Sequence, residues 1–207
     1  MTPTELLREA LNDFFQERAD IANDAQPMLL RFLEKLKDAQ PRTAPAPRTL
    51  PATRHWEDIM SSGGIIAFPG LNDALAAMTP LLHWRQNPNY NDGLMGAGYM
   101  DNYGYAEFVG GDGSFLDAEA IRCGILLIGP HRHYPKHHHA AEEVYCVLSS
   151  AESQWRRGEE DWRSYALGTP IYHASWMKHE TKTDRDPLIA LYCWYGDATS
   201  AVLVSSL

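Results

Sequence analysis

The sequence predicts a mainly β protein, an antiparallel sandwich or barrel, preceded by a helical extension. Two observations carry this. From about residue 95 onward, short apolar runs rich in β-branched and aromatic residues alternate with Gly-rich turn signals. Before about residue 40 the apolar residues recur instead at the spacing of an amphipathic helix.

The elements follow in order. A first helix is expected over 2–19. Thr2 can cap it, Pro3 suits the first helical position, and Leu6, Leu7, Ala10, Leu11, Phe14 and Phe15 share a face. A second is expected over about 26–38, with Met28, Leu29, Phe32, Leu33 and Leu36 on its apolar side. The stretch 39–53 (AQPRTAPAPRTLPAT) holds four prolines, which forbid a helix and favour an extended arm that wraps or tethers. Short helices are expected over 54–61 and 71–79, with GGIIAFPG between them as a short strand. Five later runs are strand candidates: CGILLIG, EEVYCVLS, ESQWRR, PIYHAS and PLIALYCWY. GDG and RGEED have the composition of hairpin turns. The expected organisation is a helical and proline-rich segment over 1–53 that packs on a β domain over 54–207.

Composition narrows the function. The chain has 207 residues, 27 acidic and 18 basic, for a net charge of −9. Hydrophobic residues make up 44% and charged residues 22%, which suits a soluble globular domain and excludes wholesale disorder. The acidic balance argues against a nucleic-acid partner. With no apolar run long enough to span a bilayer and no basic, apolar leader, no membrane association is expected and the location is read as cytoplasmic. Cys123, Cys146 and Cys193 are widely spaced in apolar runs and read as buried free thiols.

The chemistry concentrates in HRHYPKHHH, residues 131–139, which holds five of the nine histidines and is followed by Glu142 and Glu143. Imidazole with carboxylate is a common metal shell. On a strand, side chains alternate with period two, so His137 and His139 share a face and His138 points away. Glu143, four residues past His139, returns to that face, giving a three-ligand set. Tyr145, two residues further, belongs beside the metal. A fourth ligand must come from elsewhere, with His173 and His179 of PIYHASWMKHETKT as candidates.

The HxH-xxx-E pattern, a strand and a distant histidine resemble the metal-binding motifs of the cupin superfamily, which implies a double-stranded β-helix barrel. Gly168 and His179 keep that family's spacing and favour His179 as the fourth ligand. Ser149-Ser150, Ala174, Trp176 and Thr183 stand where it has Gly, Pro, Gly and Asn. More narrowly, YPKHHHAAEEVYCVLS, the helical arm and WMKHETKT resemble the cupin-type dimethylsulfoniopropionate lyases of the DddQ group. That resemblance implies β-elimination of dimethylsulfoniopropionate to dimethyl sulfide and acrylate. It also implies one divalent ion, Zn²⁺ or Fe²⁺, with Mn²⁺ or Co²⁺ acceptable to the same shell.

The resemblance further implies a tyrosine base, which falls on Tyr145, and substrate contacts at Tyr134 and Trp194. Tyr134 could hydrogen-bond the substrate carboxylate, and aromatic faces such as Trp194 attract a sulfonium. Glu143 is the rival base, with His133 and Lys136 as possible proton carriers. The partner expected is the small-molecule substrate, with the chain a monomer or homodimer. Two other readings use the same ligands: an Fe²⁺ dioxygenase acting on a small organic acid or thiol, and a non-enzymatic ligand-binding cupin.

Overall fold

In a computed structural model of the chain, residues 1–205 are described, except Ala22, Ala44 and Asp112. Helix α1, Pro3–Ala19, starts as its sequence dictates. The Thr2 hydroxyl accepts from the Glu5 backbone N–H, and the Glu5 carboxylate accepts from the Thr2 N–H, a reciprocal cap. Helix α2, Gln26–Lys37, buries Met28, Leu29, Phe32, Leu33 and Leu36. Helices α3, Thr53–Ser61, and α4, Pro69–Met78, add Trp56, Leu71, Ala74, Leu75 and Met78 to the same apolar layer.

The strand expected in GGIIAFPG is absent. Gly63 and Gly64 take positive φ, and the Ile65 N–H donates to Asn72 Oδ1 at 2.7 Å. These contacts make a turn into the Pro69 helix start, burying Ile65 while Ile66 stays exposed. The proline arm is extended: Gln40–Pro41 pairs antiparallel with Leu116–Asp117, and Arg48 bridges to His83.

The eight longer strands are β1 (Tyr103–Gly110), β2 (Ile121–Ile128), β3 (His133–His138), β4 (Glu142–Val147), β5 (Gln154–Arg157), β6 (Pro170–His173), β7 (His179–Lys182) and β8 (Leu188–Tyr195). Among the described residues they form two sheets. One runs in the order β1-β2-β8-β4-β6, and the other runs β3-β7-β5. RGEED makes the expected turn, since β5 pairs antiparallel with Arg163–Ser164. GDG does not make a hairpin: Leu116–Asp117 returns parallel to Val109–Gly110. The Ser114 hydroxyl, which lies against Gly110 O, Gly111 O and Leu116 O, folds this segment into a loop; Asp112 itself lies outside the described residues.

The larger sheet has two buried faces. Ile125, Leu127, Val144, Cys146, Ile189, Leu191 and Cys193 face the helices in one apolar cluster. The alternate residues Leu126, Ile128, Tyr145, Val147, Ala190 and Tyr192 face the second sheet with Tyr134, Trp155 and Ile171. Burial on both sides explains why these strands read as continuous apolar runs. The three thiols are free and buried, as expected. The fold is thus mainly β and antiparallel, with an N-terminal helical extension closing the outer face.

Candidate metal centre

Strand β3 and strand β4 are joined by His139-Ala140-Ala141, so the histidine run enters the interior and the chain returns at once through Glu143 and Tyr145. His137, His139, Glu143, His173 and His179 are all buried there. Donor atoms of His139, Glu143 and His179 lie within 4.8 Å of one another. His137 stands beside this trio, its ring 4.1 Å from that of His179 and 6.5 Å from that of His139. His173, on β6, also joins the group, its ring 4.1 Å from His179. The two histidines that the sequence left as alternatives are therefore neighbours.

The tautomers are set by the backbone. Nδ1 of His137 lies 2.8 Å from Pro135 O, Nδ1 of His139 lies 3.1 Å from Ala141 O, and Nδ1 of His179 lies 2.9 Å from Met177 O. A carbonyl oxygen only accepts, so each Nδ1 carries the proton and each Nε2 keeps its lone pair. Nε2 of His139 and Nε2 of His179 then point at the same carboxylate oxygen, Glu143 Oε2, at 3.0 and 3.1 Å. Two lone pairs facing a buried carboxylate oxygen repel unless a cation lies among them. Both ring nitrogens of His173 and Nε2 of His179 are buried without a hydrogen-bond partner among the described residues. This donor set fits a divalent cation.

The surroundings tune it. Burial drives the His137 and His173 pKa values well below the ordinary imidazole range, which keeps lone pairs available. Burial alone would raise the Glu143 pKa, but positive charge at the position of His139 and His179, where a cation would stand, holds it well below the usual carboxylate value. Trp194 donates its indole N–H to Glu143 Oε1 and stacks 4.2 Å from the His139 ring. Tyr134 stacks 4.0 Å from His137, and its hydroxyl is 2.8 Å from that of Tyr90. His138 points away, toward exposed Trp176.

A cavity of about 200 Å³ opens beside the centre. Glu143, Tyr145, Tyr134, Tyr192 and Trp194 line it, and 87–89 and 198–202 flank it. Tyr145 lies opposite Tyr192 in the sheet, its ring 5.8 Å from His173 and 6.3 Å from His179. Gly124 lets the Tyr192 ring lie across the sheet, since a Cβ there would strike the Tyr192 hydroxyl and the Ala106 carbonyl. Sequence reasoning missed Tyr90, Tyr103, Tyr105, Glu107 and Arg122. The alternation in YGYAEF was the available signal for three of them.

Two departures from the cupin pattern resolve in the backbone. Ser150 and Trp176, which replace its glycines, both have positive φ, 58° and 63°. The turns keep a glycine-like conformation although the side chains have changed. At Trp176 the N–H donates to His139 O at 2.8 Å, which ties the loop between β6 and β7 to the histidine run.

Two antiparallel sheets with imidazoles and a carboxylate gathered between them define a mainly β protein with a candidate metal-binding centre. The profile of the dimethylsulfoniopropionate lyase family matches residues 25–190, and the chain belongs to that family. It is 27% identical over 139 residues to the dimethylsulfoniopropionate lyase DddQ of Ruegeria pomeroyi, covering 67% of each chain. Its fold superposes on a chain from the crystal structures of the lyases RdDddP and RnDddQII with a TM-score of 0.78, at 22% identity over 99% of this chain and 98% of that one. The crystal structure of the Ruegeria pomeroyi DddQ gives a TM-score of 0.75 at 22% identity, over 97% and 96%.

Proposed function

We propose that this protein is a metal-dependent carbon–sulfur lyase that cleaves dimethylsulfoniopropionate to dimethyl sulfide and acrylate. Family membership supports the reaction class. The observation that carries the site is Glu143 Oε2 facing two imidazole lone pairs on the wall of a cavity that also holds a tyrosine. The ligands in this reading are His137, His139, Glu143 and His179, with His173 in contact. Zn²⁺ or Fe²⁺ is the ion of choice, and Mn²⁺ or Co²⁺ suits the same donors. When bound, the cation supplies positive charge that favours the substrate carboxylate and the negative charge that develops beside it.

Tyr145, as the phenolate that a bound cation would favour, takes the proton from the carbon next to the carboxylate and becomes the neutral phenol. The C–H electron pair becomes the new C=C bond, and the C–S pair leaves on sulfur as neutral dimethyl sulfide, so no acid is needed at the leaving group. Burial, then the Glu143 charge, holds the Tyr145 phenol well above its ordinary pKa; a cation beside it acts in the opposite sense. The Tyr134 hydroxyl pairs with that of Tyr90, and with Tyr90 as donor it turns its own hydrogen to the substrate carboxylate. Trp194 orients Glu143 and His139 and turns its remaining surface to the substrate.

No described helix is long and apolar enough to cross a membrane. Three buried free thiols suit a reducing compartment, and a cytoplasmic location belongs to this reading.

The test is headspace detection of dimethyl sulfide from purified protein supplied with dimethylsulfoniopropionate, with and without chelator and in the absence of O₂. Sulfide should form anaerobically, stop with chelator and return with added Zn²⁺ or Fe²⁺. No sulfide above the protein-free rate, or a requirement for O₂, would overturn the reading.

A further inference from the structure

The cavity has a second polar pole, away from the histidines. Glu107 lines it and is 2% exposed. Its Oε2 lies 3.4 Å from Arg122 Nη1, a long contact from a side chain that is 31% exposed. Its Oε1, which lies against the Gly110 turn, is buried with no hydrogen-bond partner among the described residues. A buried carboxylate oxygen left unpaired is costly, and a native structure seldom keeps one without a use.

The register relates this group to the site. Across the larger sheet, Glu107 pairs with Gly124, Gly124 with Tyr192, and Tyr192 with Tyr145. The four positions make one row on the inner face. Three strand spacings separate Glu107 from Tyr145, about 14 Å at the backbone, a gap that the facing side chains narrow. Gly124 has no side chain, and the Tyr192 hydroxyl lies over it, so Tyr192 fills the middle of the row. Tyr105, two residues before Glu107 on β1, lines the same wall. The cavity therefore offers a cation-binding donor set at one end, and a carboxylate with two aromatic rings at the other.

We infer that Glu107, with Tyr105 and Tyr192, is the seat of the substrate's positively charged sulfonium and selects a cationic over an uncharged group at that end. The inference rests on the lyase reading and assigns the half of the substrate that the metal ligands do not touch. A carboxylate attracts an onium group through its charge, and the tyrosine faces attract it through their quadrupoles. Burial raises the Glu107 pKa above the usual carboxylate value, and Arg122, with Arg85 and Arg42 further off, opposes that rise and favours the charged form. They also oppose a cation in the pocket, which limits the expected preference.

The test is calorimetric binding to the purified, metal-loaded protein, using two unreactive propionates. One carries a trimethylammonium group (β-alanine betaine), and the other is its uncharged tert-butyl isostere. The wild type should bind the betaine about tenfold more tightly than the isostere. Glu107→Gln should erase that preference while changing isostere affinity by less than about twofold. Glu107→Asp, which keeps the charge, should retain most of it. Equal binding of both ligands by the wild type would overturn the inference without any variant. So would a Glu107→Gln protein that loses affinity for both alike, since that marks a structural role. If the wild type releases no dimethyl sulfide, the lyase reading falls while the onium preference still stands or falls by calorimetry. If it releases sulfide and Glu107→Gln keeps the preference, this inference alone fails.

Discussion

Strands β4 and β8 show two different chemistries on the two faces of one sheet. Toward the helices they present Val144, Cys146, Ile189, Leu191 and Cys193, all fully buried and without a charged group. Toward the cavity they present Glu143, Tyr145, Tyr192 and Trp194. The outer face contributes stability through apolar burial, at about 25 cal/mol per Å² removed from water. The inner face holds a carboxylate against imidazole lone pairs and leaves buried nitrogens unpaired, which costs stability. Alternation by single residues lets the helical cover offset what the site gives up. The N-terminal helices and α4 thus have a physical role although they contribute no residue to the cavity.

Substitutions that act on one face alone sharpen this contrast. The largest effect belongs to the ligands: His139→Ala should weaken metal binding by more than about a hundredfold and abolish turnover. Elemental analysis checks it, and full occupancy would remove His139 from the shell. Tyr145→Phe should lower the rate of dimethyl sulfide release about a thousandfold while metal content stays at the wild-type level. Loss of metal together with activity would instead make Tyr145 a ligand. On the other face, Leu191→Ala should cost about 2–5 kcal/mol in denaturant unfolding and leave the rate per folded molecule unchanged. A rate that fell with stability there would break the division between the faces.

Trp194→Phe keeps the stacking ring but removes the N–H that Glu143 accepts. Metal affinity should fall about 10–100-fold, measured by competition with a chelator. The smallest effect is expected at Asp92. Backbone N–H groups of Met100 and Gly98 hold its carboxyl below the usual value of 3.8 and pin the loop behind Tyr99. A depressed folded-state pKa gives stability that is present above 3.8 and is lost as pH falls through the lower folded value. Asp92→Asn should therefore flatten the acid limb of the thermal midpoint against pH. An unchanged slope would mean that these bonds add nothing to stability.

Much of the site was legible because it is local. HHHAAEEVY places His139, Glu143 and Tyr145 within seven residues, and strand periodicity predicts which of them share a side. The helices were equally legible, since Thr2, Pro3 and the apolar spacing act within a few turns. The misread segments have local causes too. GGIIAFPG has strand-like composition, yet two positive-φ glycines and the Asn72 contact turn it instead. Ser150 and Trp176 hide a glycine-like turn geometry behind residues that rarely adopt it.

The rest depended on which strands become neighbours. The order β1-β2-β8-β4 brings Glu107 and Arg122 to the wall that Tyr145 and Trp194 share, although long stretches of chain separate the two pairs. The sequence alone determined the donor types, their spacing and the face on which they stand, because those depend on side-chain identity and the two-residue period of a strand. Tertiary structure decided that His173 joins His179, that Trp194 clamps Glu143, and that the Glu107 carboxylate, with Arg122 beside it, closes the far end. These depend on long-range pairing that no local period encodes.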